Sequence, residues 1–283
     1  MTLNDYKILF KEQLKSLYDL EEIEALFAIV MDEVLSFSRA DVVLKRNEEL
    51  KIEDKNRLLE IISQLQNEIP IRYIFEKVYF YGYEFKVTPA TLIPRRETEE
   101  LVEWILEELN KQPEKKWKVL DIGTGSGCIP ITIKKEFPLA EVSAIDISTE
   151  ALKIANENAK NLKAEVKFLH QDILNTIQLE NYDVIISNPP YVRNLEKDEM
   201  KNNVLQNEPH LALFVENDDP LIFYRKITHL AKDSLLENGL LYFEINQYLG
   251  TEMIELVSTF FINVELKKDL QGNDRMLKAS SLL

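Results

Sequence analysis

Apolar residues recur every three to four positions from Leu3 to about Ile69, as in Leu26, Phe27, Val30, Met31, Val34 and Leu35 and again in Leu58, Leu59, Ile61, Ile62 and Leu65. That spacing lines one face of an α-helix, and no glycine interrupts it before Gly82. It predicts a small all-helical domain over residues 1–75. Between Val78 and Val87 the pattern changes to aromatic and β-branched residues broken by a single glycine. This predicts a β-hairpin, and residues 76–95 then link two halves of the chain. Next, Glu97, Thr98 and Glu99 precede an apolar-periodic helix over 101–109, where helix capping and the helix dipole explain them.

From Trp117 onward, short apolar runs alternate with longer amphipathic ones. Strands are predicted at 118–122, 140–145, 165–170 and 182–187, with a helix at 148–162 among the intervening segments. Such βαβ repetition gives a parallel, doubly wound sheet over residues 96–283, with ligands bound at the carboxyl ends of the strands. Further on, a helix at 219–236, a strand at 239–245 and a helix at 250–260 continue the pattern. The last two strands, around 262–266 and 275–279, are joined by Gln271-Gly272-Asn273-Asp274. That connection is too short for a crossover helix, so the pair is antiparallel.

The strand at 182–187 ends in Asn188-Pro189-Pro190-Tyr191. Neither proline has a backbone N–H, so the turn offers carbonyl oxygens without competing donors. With the Asn188 side-chain oxygen and the Pro189 carbonyl, it can accept both hydrogens of a planar NH2 group, and Tyr191 adds a flat face for that group. Taken alone, the same four residues are also an ordinary way to leave a sheet. The turn after the first strand of this sheet, Gly123-Thr124-Gly125-Ser126-Gly127, changes the balance, because three glycines let backbone approach a ligand closely. Cys128 stands where a nicotinamide site wants glycine or alanine, and no Gly-Lys-Ser/Thr follows, so neither a dinucleotide fingerprint nor a P-loop is present. Asp121, just before the turn, would repel a pyrophosphate and suits a cation. Asp146, ending the second strand, can accept from both hydroxyls of a ribose. Asp172, after the third, can accept from the amine of an adenine, with Ile147 and Ile173 over the ring faces; each aspartate also reads as a helix cap or turn former. Adenosine with a positively charged tail and no phosphate describes S-adenosylmethionine.

Composition narrows the field further. The chain has 283 residues, 45% apolar and 29% charged, with a formal net charge of −15. Residues 1–80 hold eleven Lys/Arg against sixteen Asp/Glu, so the helical part is a poor reader of nucleic acid, which would need a basic face. One cysteine, Cys128, leaves no internal disulfide, and His170, His210 and His229 have no metal-ligand spacing. No stretch reaches the roughly 20 apolar residues of a membrane span, and the N-terminus lacks the features of a signal peptide. A cytoplasmic, metal-free, monomeric protein is expected.

Together, Asp121 to Gly127, Asp146 and Asn188 to Tyr191 resemble the class I S-adenosylmethionine-dependent methyltransferases that act on an NH2 attached to a planar system. Three further stretches resemble the protein-(glutamine-N5) methyltransferase family that modifies peptide chain release factors. They are Thr91-Leu92-Ile93-Pro94-Arg95 with Glu97-Thr98-Glu99, Glu208-Pro209 with Ala212-Leu213, and Asp269 to Ala279 with its Asp274-Arg275 pair. The resemblance spans nearly the whole chain. It departs at Arg96, where the family usually has proline, and at Asn273, where arginine is common. What it implies is a seven-stranded methyltransferase sheet with an antiparallel last strand, and methyl transfer to the glutamine of the Gly-Gly-Gln motif of class I release factors. The amide would be held by Asn188, Pro189, Pro190 and Tyr191, and the cofactor by Gly123, Thr124, Gly125, Ser126, Gly127 and Asp146, with Asp172 and Ile173 beside the adenine. The rivals are a glutamine methyltransferase acting on a ribosomal protein, an adenine-N6 nucleic-acid methyltransferase, and an inactive methyltransferase-like binding module.

Overall fold

A computed structural model describes residues 1–193, 196–197, 202–215 and 219–283. The chain forms two compact units, the first of residues 1–76 with 201–207 and the second of 77–200 with 208–283. In the first, α1 (Leu3–Leu14), α2 (Leu20–Leu35), α3 (Arg39–Leu44), α4 (Ile52–Gln66) and α5 (Ile71–Ile74) follow one another, joined by the short helix Asn202–Asn207. Thr2, Asp19 and Ser38 accept hydrogen bonds from the amides of Asp5, Glu22 and Asp41, which starts α1, α2 and α3 at those points. The apolar stripes meet in one core, where Tyr6, Phe10, Leu14, Val30, Met31, Leu58 and Ile61 are fully buried. Phe10 packs edge-on against Phe27 with ring centroids 5.6 Å apart. The Tyr6 hydroxyl, which burial would otherwise strand, donates to the Leu58 carbonyl at 3.0 Å.

The second unit opens with a hairpin, β1 (Lys77–Phe80) and β2 (Tyr83–Lys86), turning at Tyr81-Gly82, both with positive φ. It groups with this unit. Then come α6 (Arg96–Leu109), β3 (Lys118–Ile122), α7 (Cys128–Glu136), β4 (Glu141–Asp146), α8 (Thr149–Leu162), β5 (Val166–His170) and β6 (Tyr182–Ser187). They are followed by β7 (Val192–Arg193), the helix of the first unit as α9, α10 (His210–Leu213), β8 (Phe214–Val215), α11 (Ile222–Ser234), β9 (Leu235–Glu244), α12 (Gly250–Val257), β10 (Phe261–Lys268) and β11 (Asp274–Leu282).

Seven strands form one sheet in the order β10-β11-β9-β6-β3-β4-β5. β11 runs antiparallel to both its neighbours and the other pairings are parallel. β6 is buried at every position, and β3 at all but its first, which is why both read as continuous apolar runs. Their carboxyl ends therefore lie side by side, Ile122 opposite Ser187 and Ser187 opposite Phe243.

Several expected boundaries shift by a few residues, and two of the shifts have a clear physical cause. The helix expected to run to residue 236 ends at Ser234, and β9 begins at Leu235 instead of at Gly239. Leu235 pairs with Tyr182 and Leu240 with Val184, so the extra residues bulge out of the ladder, with Asn238 at φ +61°. The leucines at 235 and 236 fit either period, so spacing cannot locate this end. The helix expected from 101 starts five residues earlier, at Arg96, and its preceding residue Arg95 makes no side-chain cap. Capping therefore does not account for Thr98 and Glu99: Thr98 is buried inside the helix, and Glu99 accepts the Tyr81 amide of the hairpin turn at 2.6 Å.

Candidate active site

A cleft of about 230 Å3 opens at the carboxyl ends of β3, β4, β5 and β6. The glycine turn forms one wall. Gly123, Gly125 and Gly127 have φ of +77°, +55° and +80°. A Cβ at Gly125 would meet nothing within 4 Å, whereas one at Gly127 would stand 2.9 Å from Ile131 Cδ1 and 3.1 Å from Ala155 Cβ. Gly125 thus leaves room for a ligand and Gly127 leaves room for helix packing. The Asp146 carboxylate holds this turn closed, accepting from the Gly125 amide and from the Ser148 amide, each at 2.8 Å.

A second support comes from α8, where Asn158 is 1% exposed. Its Oδ1 accepts from the Lys86 amide at 2.7 Å, and its Nδ2 donates to the carbonyls of Lys86 and Ser126, both at 2.9 Å. One amide thereby ties the hairpin to the glycine turn. Asn158→Ala is expected to destabilise the protein by about 2 kcal/mol, since it removes three hydrogen bonds to buried and part-buried backbone groups, and to weaken cofactor binding in calorimetry more than a surface Asn→Ala change does.

Thr124, Ser126, Asp146, Ile147, Asp172 and Ile173 all line the cleft. Asp172 accepts locally from the Leu174 amide and from Asn175 Nδ2 at 2.9 and 2.6 Å. Asn188, Pro189 and Pro190 line the same cleft. Asp121 does not reach its surface. The side chain is wholly buried beneath the turn, with no hydrogen-bond partner for either oxygen. Burial pushes it up to about 7; the Asp146 charge adds to this, and the Thr124 hydroxyl, close by but outside hydrogen-bonding geometry, opposes it in part. Tyr191 also stays out of the main cleft. It lines a smaller cavity with Leu92, Arg95, Asn188, Val192, Ala212 and Leu213, and its ring packs against the sheet's core.

What holds the Asn-Pro-Pro-Tyr turn in place is a set of polar residues from the other motif stretches, joined by Glu244, Asn246 and Glu196, which the sequence did not single out. Thr98 Oγ1 donates to Glu244 Oε2 at 2.7 Å, Asn188 Nδ2 donates to Thr98 Oγ1 at 3.3 Å, and the Tyr191 hydroxyl donates to Glu244 Oε1 at 3.2 Å. Glu244 ends β9, the strand beside β6, and is 1% exposed. Two residues on, Asn246 Nδ2 donates to the Tyr191 carbonyl at 3.0 Å and to Glu196 Oε2 at 3.0 Å. Arg275 on β11 reaches the Ile245 carbonyl at 3.3 Å and pairs with Asp269. On the other side, buried Glu208 receives Arg95 at 2.6 Å. The motif stretches outside the two loops are therefore the frame of this site.

Residues 97–213 match the family described as methyltransferase small domain, and residues 9–75 match PrmC N-terminal domain. The chain is 49% identical to the release factor glutamine methyltransferase of Flavobacterium psychrophilum, over 99% of each protein. The chain belongs to the release factor glutamine methyltransferases. A second member, from Bacteroides thetaiotaomicron, is 43% identical over 98% of this chain and 100% of its own length. At the level of fold, the chain resembles the T. Thermophilus 16S rRNA N2 G1207 methyltransferase solved with AdoMet and guanosine. There the TM-score is 0.52 at 18% identity, over 72% of this chain and 49% of that one. A methyltransferase from Pyrococcus furiosus gives 0.50 at 17% identity over 81% and 98%. In this chain the glycine turn and Asn188, Pro189 and Pro190 share one cleft. No group of three or more potential metal ligands occurs among the described residues, and no helix there is long and apolar enough to cross a membrane.

Proposed function

We propose that this protein transfers a methyl group from S-adenosylmethionine to the side-chain amide nitrogen of the glutamine in the Gly-Gly-Gln motif of class I peptide chain release factors. The observation that carries the reading is that Asn188, Pro189 and Pro190 line the same cleft as Gly123, Gly125 and Asp146. The fit to the cofactor rests on three features. Gly125 would leave space even for a Cβ, Asp146 and Asp172 place carboxylates on the cleft wall, and Ile147, Ile173 and Leu174 supply apolar lining. Asp121, buried beneath the turn, is a carboxyl that a cationic ligand above it would favour in its ionised form and a phosphate would not.

Residues Gly123 to Gly127, Asp146 and Asp172 with Ile147 and Ile173 would hold the cofactor, which when bound supplies a methyl group already activated by its sulfonium. What remains for the protein is the nucleophile. An amide nitrogen is weak because its lone pair is delocalised into the carbonyl. Asn188 Oδ1 and the Pro189 carbonyl accept its two hydrogens, fix its direction and draw electron density toward nitrogen. The proton released from the methylated nitrogen can pass to Asn188 Oδ1, the Pro189 carbonyl or water, so no general base is assigned.

Labelled S-adenosylmethionine incubated with the protein and, separately, a release factor, a ribosomal-protein fraction and duplex DNA tests the reading. Label on the release factor, at the motif glutamine, is expected. Label only on the ribosomal fraction or the DNA would assign the chain to one of the rival activities. Binding without transfer to any of the three would make it a binding module.

A further inference from the structure

We propose that the Glu244 carboxylate, acting through the Thr98 hydroxyl, decides which end of the Asn188 amide faces the cleft. The inference rests on the methyl-transfer reading above and concerns how the acceptor is aimed. An ionised carboxylate can only accept hydrogen bonds. The Thr98 hydroxyl has one proton, and it is given to Glu244 Oε2 at 2.7 Å. The oxygen of Thr98 is then left to accept, and it accepts from Asn188 Nδ2 at 3.3 Å. With its NH2 group held there, Asn188 presents Oδ1 to the substrate, which is the polarity an incoming NH2 requires. Among the described residues no hydrogen bond reaches Oδ1, so its lone pairs remain available.

Glu244 is also the anchor of the turn's other end, since the Tyr191 hydroxyl spends its proton on Oε1 at 3.2 Å. Both oxygens of one buried carboxylate are thus matched to two donors, one of which holds Asn188 and the other of which is Tyr191, the residues that flank the prolines. This matching reads outward in one direction only. If the carboxylate lost its charge it could donate to Thr98, whose proton could then turn to Asn188 Oδ1, and the amide would present NH2 to the cleft. The groups that face Glu244 are Thr98 and Glu97 of α6, Tyr191 of the turn, Arg275 of β11, Cys128 of α7 and Tyr224 of α11, whose hydroxyl donates to the Glu244 carbonyl at 3.1 Å. Burial raises the Glu244 carboxyl above its usual range, while Thr98, Arg275 and Tyr191 oppose the rise. Glu244 and Thr98 are positioning residues, because neither is asked to touch the reacting atoms.

The experiment uses the full-length protein and two release factors, one natural and one with glutamate replacing the motif glutamine. Two acceptors in the turn discriminate against a carboxylate, so the wild type is expected to bind the natural factor more tightly, by about fivefold or more. In Glu244→Gln and in Thr98→Val that preference is expected to shrink toward unity, because the Asn188 amide is free to turn. Turnover is expected to fall about tenfold or more, with cofactor affinity within about twofold of wild type, and Thr98→Ser is expected to restore both turnover and preference. Wild-type turnover and preference in both variants would overturn the proposal. So would lost turnover with the preference intact, since that is the result of a purely structural role. If Glu244→Gln does not fold, Thr98→Val decides alone. Absence of methyl transfer by the wild type would instead defeat the functional reading itself.

Discussion

Replacing Asn188 with alanine is expected to lower turnover on the release factor about 10²-fold or more, while the dissociation constant for S-adenosylmethionine stays within about twofold of wild type. Asn188 lines the same cleft as the glycine turn and makes its one described side-chain bond to Thr98, not to any part of that turn. Its loss removes an acceptor from the nucleophile and leaves Gly123, Gly125 and Asp146 as they were. The loss also fixes where the effect falls. Orientation of the amide nitrogen matters only when it attacks, so kcat should drop further than KM for the release factor rises. A purified Asn188→Ala protein turning over within a few-fold of wild type would take the turn out of the chemistry. So would a decline traceable wholly to weaker cofactor binding.

The expected helical region, the hairpin and the alternating α/β pattern were legible because each buries an apolar face with its own period. β3 and β6 read as strands for the same reason that they position the site, namely that the sheet covers them on both faces. Glycine and proline marked the two turns through backbone chemistry that no other residues supply. What could not be read was how the polar residues that hold those turns meet. Thr98 and Glu244 stand 146 positions apart and meet only because β9 lies beside β6 and α6 packs over the sheet. In sequence, Glu244 is one acid at the end of a strand and Thr98 one polar residue in a first turn, and both have ordinary explanations. Asn158 reads as a helix-surface residue and is instead buried against the glycine turn. A signal did exist in Asn246, two residues past Glu244 on a run otherwise apolar, since alternating polar residues at a strand's carboxyl end lie where sites are built. Asp121 was legible as a charge near the cofactor, but its depth was not. Whether a residue before a turn faces the ligand or the core depends on the strand's register, which only the sheet settles.

That depth has a measurable consequence, because Asp121→Asn is expected to stabilise the cofactor-free protein above pH 7 and to weaken its grip on S-adenosylmethionine. Asp121 is wholly buried, neither oxygen has a hydrogen-bond partner, and burial moves its carboxyl from the ordinary 3.8 up to about 7. Below pH 4 the group is protonated in both folded and unfolded chains and costs nothing. Between pH 4 and 7 the folded chain keeps the proton that the unfolded chain has lost, so stability falls as pH rises. Above pH 7 the folded chain carries the buried charge too, and the cost levels off at about 4 kcal/mol. Asparagine has no such dependence, so the difference in unfolding free energy between variant and wild type should be smallest near pH 4, grow through pH 7 and then stay flat. Denaturant melts at pH 5 and pH 8.5 would show it, whatever constant offset the asparagine introduces. A cationic ligand above the turn favours the ionised carboxyl, so binding to the wild type should release protons below pH 7. Calorimetry in buffers of different ionisation enthalpy reads that release directly, and in Asp121→Asn it should fall close to zero. A stability difference that does not vary with pH would show that Asp121 is already ionised throughout that range, held so by groups that the folded core does not otherwise reveal.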